Sequence, residues 1–288
     1  MQFWIVQTLN SLALGGLLFL LASGFSLIFG LMRIANLTHG AFFMLGAYLG
    51  ASLLRYDRGL GLWVAALGAG IAVALLGGLL ERLVLRRLSR NPLGQVLVTL
   101  GVSFIIADAC LLLFGGDPIP VPTSRALARP MFVAGFVFPT YRLVVLAVAI
   151  VSALALHVLL DRTRIGAMIR AGVDDPAMAR AIGIPVSRLF TLTFCLGAGI
   201  AGAGGVLAGP IFSAYPGMDS DMLPLALIVV ILGGVGSLLG AFVGSFIIGF
   251  IYTFGIALIP DLAYVILFLP MIIVIALRPR GLFGRLAA

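Results

Sequence analysis

Few side chains in this sequence can do chemistry. There are 288 residues, with 2 histidines, 2 cysteines and 10 acids. His39 lies in Asn36-Leu37-Thr38-His39-Gly40, a polar stretch that opens an apolar run. His157 lies near the end of another run, and Ser237 follows Leu232-Gly233-Gly234-Val235-Gly236. A serine and a histidine within hydrogen-bond reach would suggest an intramembrane serine protease, but no spacing here pairs Ser237 with either histidine. Asp108 is an acid deep inside an apolar segment, where acids are rare and usually functional. A proton relay through it would indicate a proton-coupled secondary transporter. No succession of further acids or histidines continues such a relay, so the expectation is a hydrogen-bonded or neutral Asp108 facing protein. Cys110 and Cys195 both sit in apolar runs without C-x-x-C spacing, which suits packing better than a disulfide or a metal site. For Asn36, Thr38, His39 and Gly40 two readings stand. They bond backbone freed at a helix break, or they line a pathway opposite a second break at Gly233, Gly234, Gly236 and Ser237. Helix ends there could serve a zwitterionic solute, with the carboxylate at the positive end.

The elements that must position these groups follow from composition. Hydrophobic residues make up 62% of the chain and charged residues 10%, against roughly 45–50% and about 25% in soluble domains. The mean hydropathy is +1.24. A soluble enzyme, a disordered chain and a nucleic-acid-binding domain are excluded, despite a pI near 10.5. A spanning helix needs about 20 residues. Apolar segments at 4–31, 37–54, 61–81, 94–115, 141–160, 188–209, 222–234, 238–259 and 262–277 predict an all-α polytopic membrane protein with eight or nine crossings. Discontinuous helices are expected near 31–40 and 233–238.

All 18 basic residues are Arg. Thirteen (Arg33, Arg82, Arg86, Arg87, Arg90, Arg162, Arg164, Arg170, Arg180, Arg188, Arg278, Arg280 and Arg285) fall on one side. Arg55, Arg58, Arg125, Arg129 and Arg142 fall on the other. The richer side is predicted to be cytoplasmic, with the N-terminus outside and the C-terminus inside. No basic n-region precedes the first apolar stretch, so it reads as a retained helix rather than a signal peptide. The outer loop 116–140 carries five prolines. The inner loop 161–187 mixes charge with small residues, and Asp174-Asp175-Pro176 predicts a helix start that Gly183 and Pro185 stop. Such a loop fits a protein partner or the lipid headgroups. Gly236, Gly240 and Gly244, like Gly46 and Gly50, recur at four-residue spacing, which allows close helix packing inside the subunit or at an interface with another. His39-Gly40-Ala41-Phe42 and Leu239-Gly240-Ala241-Phe242 share a faint likeness, one in each half of the chain.

Three stretches together carry a resemblance. They are Asn36-Leu37-Thr38-His39-Gly40 with Met44-Leu45-Gly46-Ala47-Tyr48; then Gly166, Arg170, Ala171, Asp175, Met178, Ala179, Gly183 and Ile184; and then Leu232-Gly233-Gly234-Val235-Gly236-Ser237 with Gly240-Ala241. The chain resembles, from about residue 4 to 283, the permease subunit of ATP-binding-cassette importers for branched-chain amino acids, the LivH type. The resemblance implies a single permease domain in a bacterial inner membrane, without catalytic activity or a resident cofactor or metal. It implies a paralogous second permease of the LivM type, two ATPase subunits that bind ATP and Mg, and a periplasmic solute-binding protein. Consistent with this, a chain without lysine has no Walker A motif. Loop 161–187 would be the coupling segment, through Gly166, Arg170, Ala171, Asp175, Ala179 and Gly183. Arg125, Arg129, Asp219 and Asp221 are candidates to dock the binding protein, or are a solvated rim. The blocks do not select the solute, since related permeases serve urea, short amides or aromatic acids.

Overall fold

The computed structural model describes residues 2–32, 36–56, 61–89, 91–123, 127, 129–133 and 136–284. Each predicted apolar segment is a helix. They are α1 (Gln2–Met32), α2 (His39–Tyr56), α3 (Leu62–Leu80), α4 (Pro92–Phe114) and α5 (Thr140–His157). After the short α6 (Arg164–Asp174) and α7 (Pro176–Ala181) come α8 (Val186–Phe212), α9 (Met218–Gly233), α10 (Leu238–Leu258) and α11 (Ala263–Leu277). Six of them (α1, α3, α4, α5, α8 and α10) are long and apolar enough to cross a bilayer. α3 and α5 each finish in a π-helical turn, Glu81–Leu85 and Val158–Arg162.

Part of the 116–140 region, despite its prolines, is regular strand. Pro130–Val133 (β1) and Phe136–Pro139 (β2) pair antiparallel, so the described residues are all-α apart from this element. Thr140 Oγ1 closes the hairpin by donating to the Arg129 carbonyl at 2.6 Å. An isolated bridge joins Ile119 to Ala214. The hairpin marks one end of the bundle; α6 and α7 mark the other.

The core gathers around α1 and α8, which pack against each other; α2 and α3 lie along α8, and α5 and α10 along α1. Small residues make this close approach possible. A β-carbon on Gly46 would run into the Gly202 backbone, and one on Gly24 into that of Gly197. The contacts also set depth. Gly30 of α1 touches Gly236, whereas Gly24 touches both Gly197 and the His39 ring. α2 therefore starts about 9 Å short of the level of Gly30, six residues at 1.5 Å each. Its first turn is inside the bundle, and the predicted discontinuity near 31–40 is a helix that begins at depth.

Candidate functional site

The start of α2 is polar and sealed from solvent. Asn36, Thr38 and His39 are fully buried. Asn36 Oδ1 accepts from the Thr38 amide at 3.2 Å. Thr38 Oγ1 donates to the Thr99 carbonyl of α4 at 2.7 Å, and the Leu37 amide donates to Thr99 Oγ1 at 3.2 Å. His39 Nε2 donates to the Leu21 carbonyl of α1 at 2.9 Å, which leaves Nδ1 as the acceptor nitrogen of a neutral ring. Backbone freed where a helix begins inside a bilayer needs such partners. Two atoms exceed that need. Among the described residues, Asn36 Nδ2 and His39 Nδ1 have no partner, and neither does the buried Tyr48 hydroxyl.

Tyr48 extends this polar patch along α2. Gly40, Met44 and Tyr48 share one helical face. A β-carbon on Gly40 would strike the Asp219 carbonyl at the start of α9, and Tyr48 stacks on Phe114 of α4 with ring centroids 4.8 Å apart. On α4, Gln95, Thr99, Ser103 and Cys110 all turn inward. A polar seam thus runs between α2, α4 and α9, from Asn36 to Tyr48. The four-residue spacing of Gln95, Thr99 and Ser103 in an otherwise apolar segment was the available signal for the α4 contribution.

The second break is built differently. Gly234 and Gly236 take φ of +101° and +78°, conformations that suit glycine. Ser237 caps α10, its Oγ accepting from the Gly240 amide at 3.0 Å. Gly233 packs on the Gly240 backbone. The last carbonyls of α9 accept from distant amides, Leu282 to Leu232 and Phe283 to Gly233, both at 2.9 Å. This break does not face the first across a pathway. It lies at the α6–α7 end, at the level of Gly30, while His39 lies deeper beside Gly24. The space lined by Ser23, Ser26, Leu160 and Gly236 is only about 20 Å³, room for roughly one water.

The 163–185 loop is two helices fixed to the bundle. Thr163 caps α6 and Asp175 caps α7, Asp175 Oδ1 accepting from Ala177 and Met178 amides at 2.9 Å. Gly166 fits against the carbonyls of the π turn after α5. Arg170 turns inward to the Leu160 carbonyl and to Asp161, and Asp161 also pairs with His157 Nδ1 at 2.8 Å. Ala179 is buried, Ala171 is half-buried, and Gly183 ends α7 at φ +87°. What α7 presents outward is Met178 and Ile182, 60% and 69% exposed. Beside the loop, buried Glu81 holds Arg86 at 3.1 Å and accepts from Thr191 of α8 at 2.7 Å, a latch without a sequence signal.

Three expectations need correction. Asp219 is not a rim charge, because it is buried where α9 meets Gly40. Asp108 does not face the interior of this chain; it is exposed on the outward face of α4. Gly233 and Gly234 open onto no space in this structure, being packed against the Gly240 backbone and the 280–284 segment. Of the docking candidates, Arg129 and Asp221 are exposed, with Asp221 Oδ2 accepting from Tyr215 at 2.8 Å. Arg125 lies outside the described residues, as do Arg33, Arg58, Arg90 and Arg285.

A multi-pass bundle with a buried polar seam, a helix break at each of two depths and a braced two-helix projection at one end defines a membrane transport component. The chain belongs to the family described as branched-chain amino acid transport system / permease component, whose model matches residues 7–275. It is 27% identical over 295 residues to the high-affinity branched-chain amino acid transport system permease protein BraD of Pseudomonas aeruginosa. That match covers 98% of this chain and 96% of BraD. It is 28% identical over 301 residues to the corresponding protein LivH of Escherichia coli, with the same coverage. The probable branched-chain amino acid transport permease protein LivH of Methanocaldococcus jannaschii is 27% identical over 243 residues, 81% of this chain and 75% of its own. No solved structure matches the chain.

Proposed function

We propose that this chain is the permease subunit of an ATP-binding-cassette importer that carries branched-chain amino acids. The likeness to BraD and LivH over 98% of the chain carries this reading. In it, ATP and Mg act in partner ATPases, a binding protein delivers the solute, and a second permease of the LivM type completes the membrane part. The α6–α7 end is cytoplasmic, in keeping with its excess of arginine, and the hairpin end, with Arg129 and Asp221, receives the binding protein. The polar seam from Asn36 to Tyr48 is the solute pathway, closed in this conformation.

The braced loop supplies the mechanics. A push from a closing ATPase pair on Met178 and Ile182 would pass through the buried Ala179, and through the Arg170–Asp161–His157 link, into α8 and α5. Arg170 and Asp175 then shape the lever rather than touch the ATPase. Replacing Ala179 or Gly183 with a bulky residue uncouples ATP hydrolysis from uptake; wild-type uptake by both variants would refute the coupling role. The reading as a whole is tested by vanadate-sensitive, ATP-dependent leucine uptake in proteoliposomes holding the complete transporter. A binding protein that prefers urea or benzoate-like acids over leucine would overturn the solute assignment.

A further inference from the structure

α4 is among the least covered of the long helices: 22% of its span is buried, against 83% for α1. Its outward face is apolar, with Leu97, Phe104, Ile105, Leu111 and Leu112 between 45% and 86% exposed. Two residues break the pattern. Asp108 is exposed there and makes no hydrogen bond or ion pair among the described residues. Gly101, seven residues earlier and on the same face, has open space where a side chain would be.

Depth makes Asp108 informative. It lies six residues, about 9 Å, inside the end of α4. That end, Phe114, stacks on Tyr48, which is itself eight residues, about 12 Å, before the end of α2. The carboxyl is therefore well inside the hydrocarbon region, where an acid facing lipid is costly. A water-filled pathway would carry more than one polar group, and this face carries only Asp108. A glycine beside it is what a closely approaching helix uses. A second copy of this chain does not complete the face. Two copies related by an axis along the bilayer normal would place Asp108 against Asp108 at one depth; the neighbouring exposed side chains add no donor, so only protonation of one carboxyl could join the two.

We propose that the outward face of α4, centred on Gly101 and Asp108, docks a helix of a different membrane chain, which presents a hydrogen-bond donor to the Asp108 carboxyl. The proposal rests on the reading of this chain as one subunit of a larger transporter, and it names the face through which its membrane partner is held.

A photo-reactive benzoylphenylalanine at Phe104 or Leu112, in the complete transporter in native membranes, should form an adduct with a different membrane polypeptide. The same probe at Leu75, on the outward face of α3, should not. Asp108→Leu and Gly101→Leu should each cut the amount of that polypeptide retained on purification at least fivefold, and Asp108→Asn should retain it. If this face met lipid, Asp108→Leu would be harmless. Adducts with lipid alone, or full retention with Asp108→Leu, overturn the proposal, and an adduct of twice this chain's mass overturns the choice of a different chain. Vanadate-sensitive uptake is measured on the same membranes. Adducts without ATP-dependent uptake sink the importer reading and leave the interface standing; uptake with lipid adducts alone does the reverse.

Discussion

The two helix breaks solve one problem with different chemistry. At the start of α2, deep in the bundle, backbone is satisfied by side chains: Asn36, Thr99 and Thr38, with the His39 ring tied to α1. Between α9 and α10, at the bundle end, glycines turn the chain and backbone amides from 282 and 283 close the helix. The first solution leaves polar atoms over; the second uses backbone and a single serine. Side-chain solutions can be rearranged when a solute offers new partners, while a glycine turn fixes a shape. On the proposed function, this difference suits the first break to transport chemistry and the second to architecture.

The comparison can be broken in four ways. Gly236→Val meets both the positive φ and the Gly30 backbone, so folded membrane yield falls by about tenfold or more. A normal yield would remove the architectural role. His39→Gln keeps a donor for the Leu21 carbonyl but loses the unpartnered ring nitrogen. Uptake falls about tenfold, a loss of about 1.4 kcal/mol in transition-state terms, while the melting temperature stays within about 2 °C. Parallel loss of both would make His39 purely structural. Thr99→Val leaves the Leu37 amide without its partner and costs about 1–2 kcal/mol, read as a lower melting temperature and faster amide exchange at residues 37–40. Ser237→Ala removes only an N-cap, about 1 kcal/mol, and uptake changes less than about twofold.

Hydropathy located every apolar helix to within a few residues, because span length is a one-dimensional property. Azimuth is not. In α4, apolar on most faces, the spacing of Gln95, Thr99 and Ser103 marked the inward face, but it did not tell that Asp108 turns out. Depth was equally hidden: segment 37–54 looked merely short, and only the contacts of His39 with Leu21 and Gly24 show that α2 begins inside. Asp219 looked like a rim charge because it precedes the apolar run 222–234, but it lies in the first turn of α9, packed on Gly40. The Pro-rich 116–140 region concealed a hairpin, since Pro130 and Pro139 pair at its open end and leave the strands between them intact. Local chemistry was more readable, and Asp175-Pro176 started α7 as such pairs do.

The amides of Leu282 and Phe283 reach back to carbonyls of residues about fifty positions earlier. The last carbonyls of α9 can therefore find these partners only once α10, α11 and the segment after them have been made. Order of assembly is thus written into this corner of the protein: a lesion in α10 or α11 would show itself first as a fraying α9, ahead of any visible change where the lesion lies.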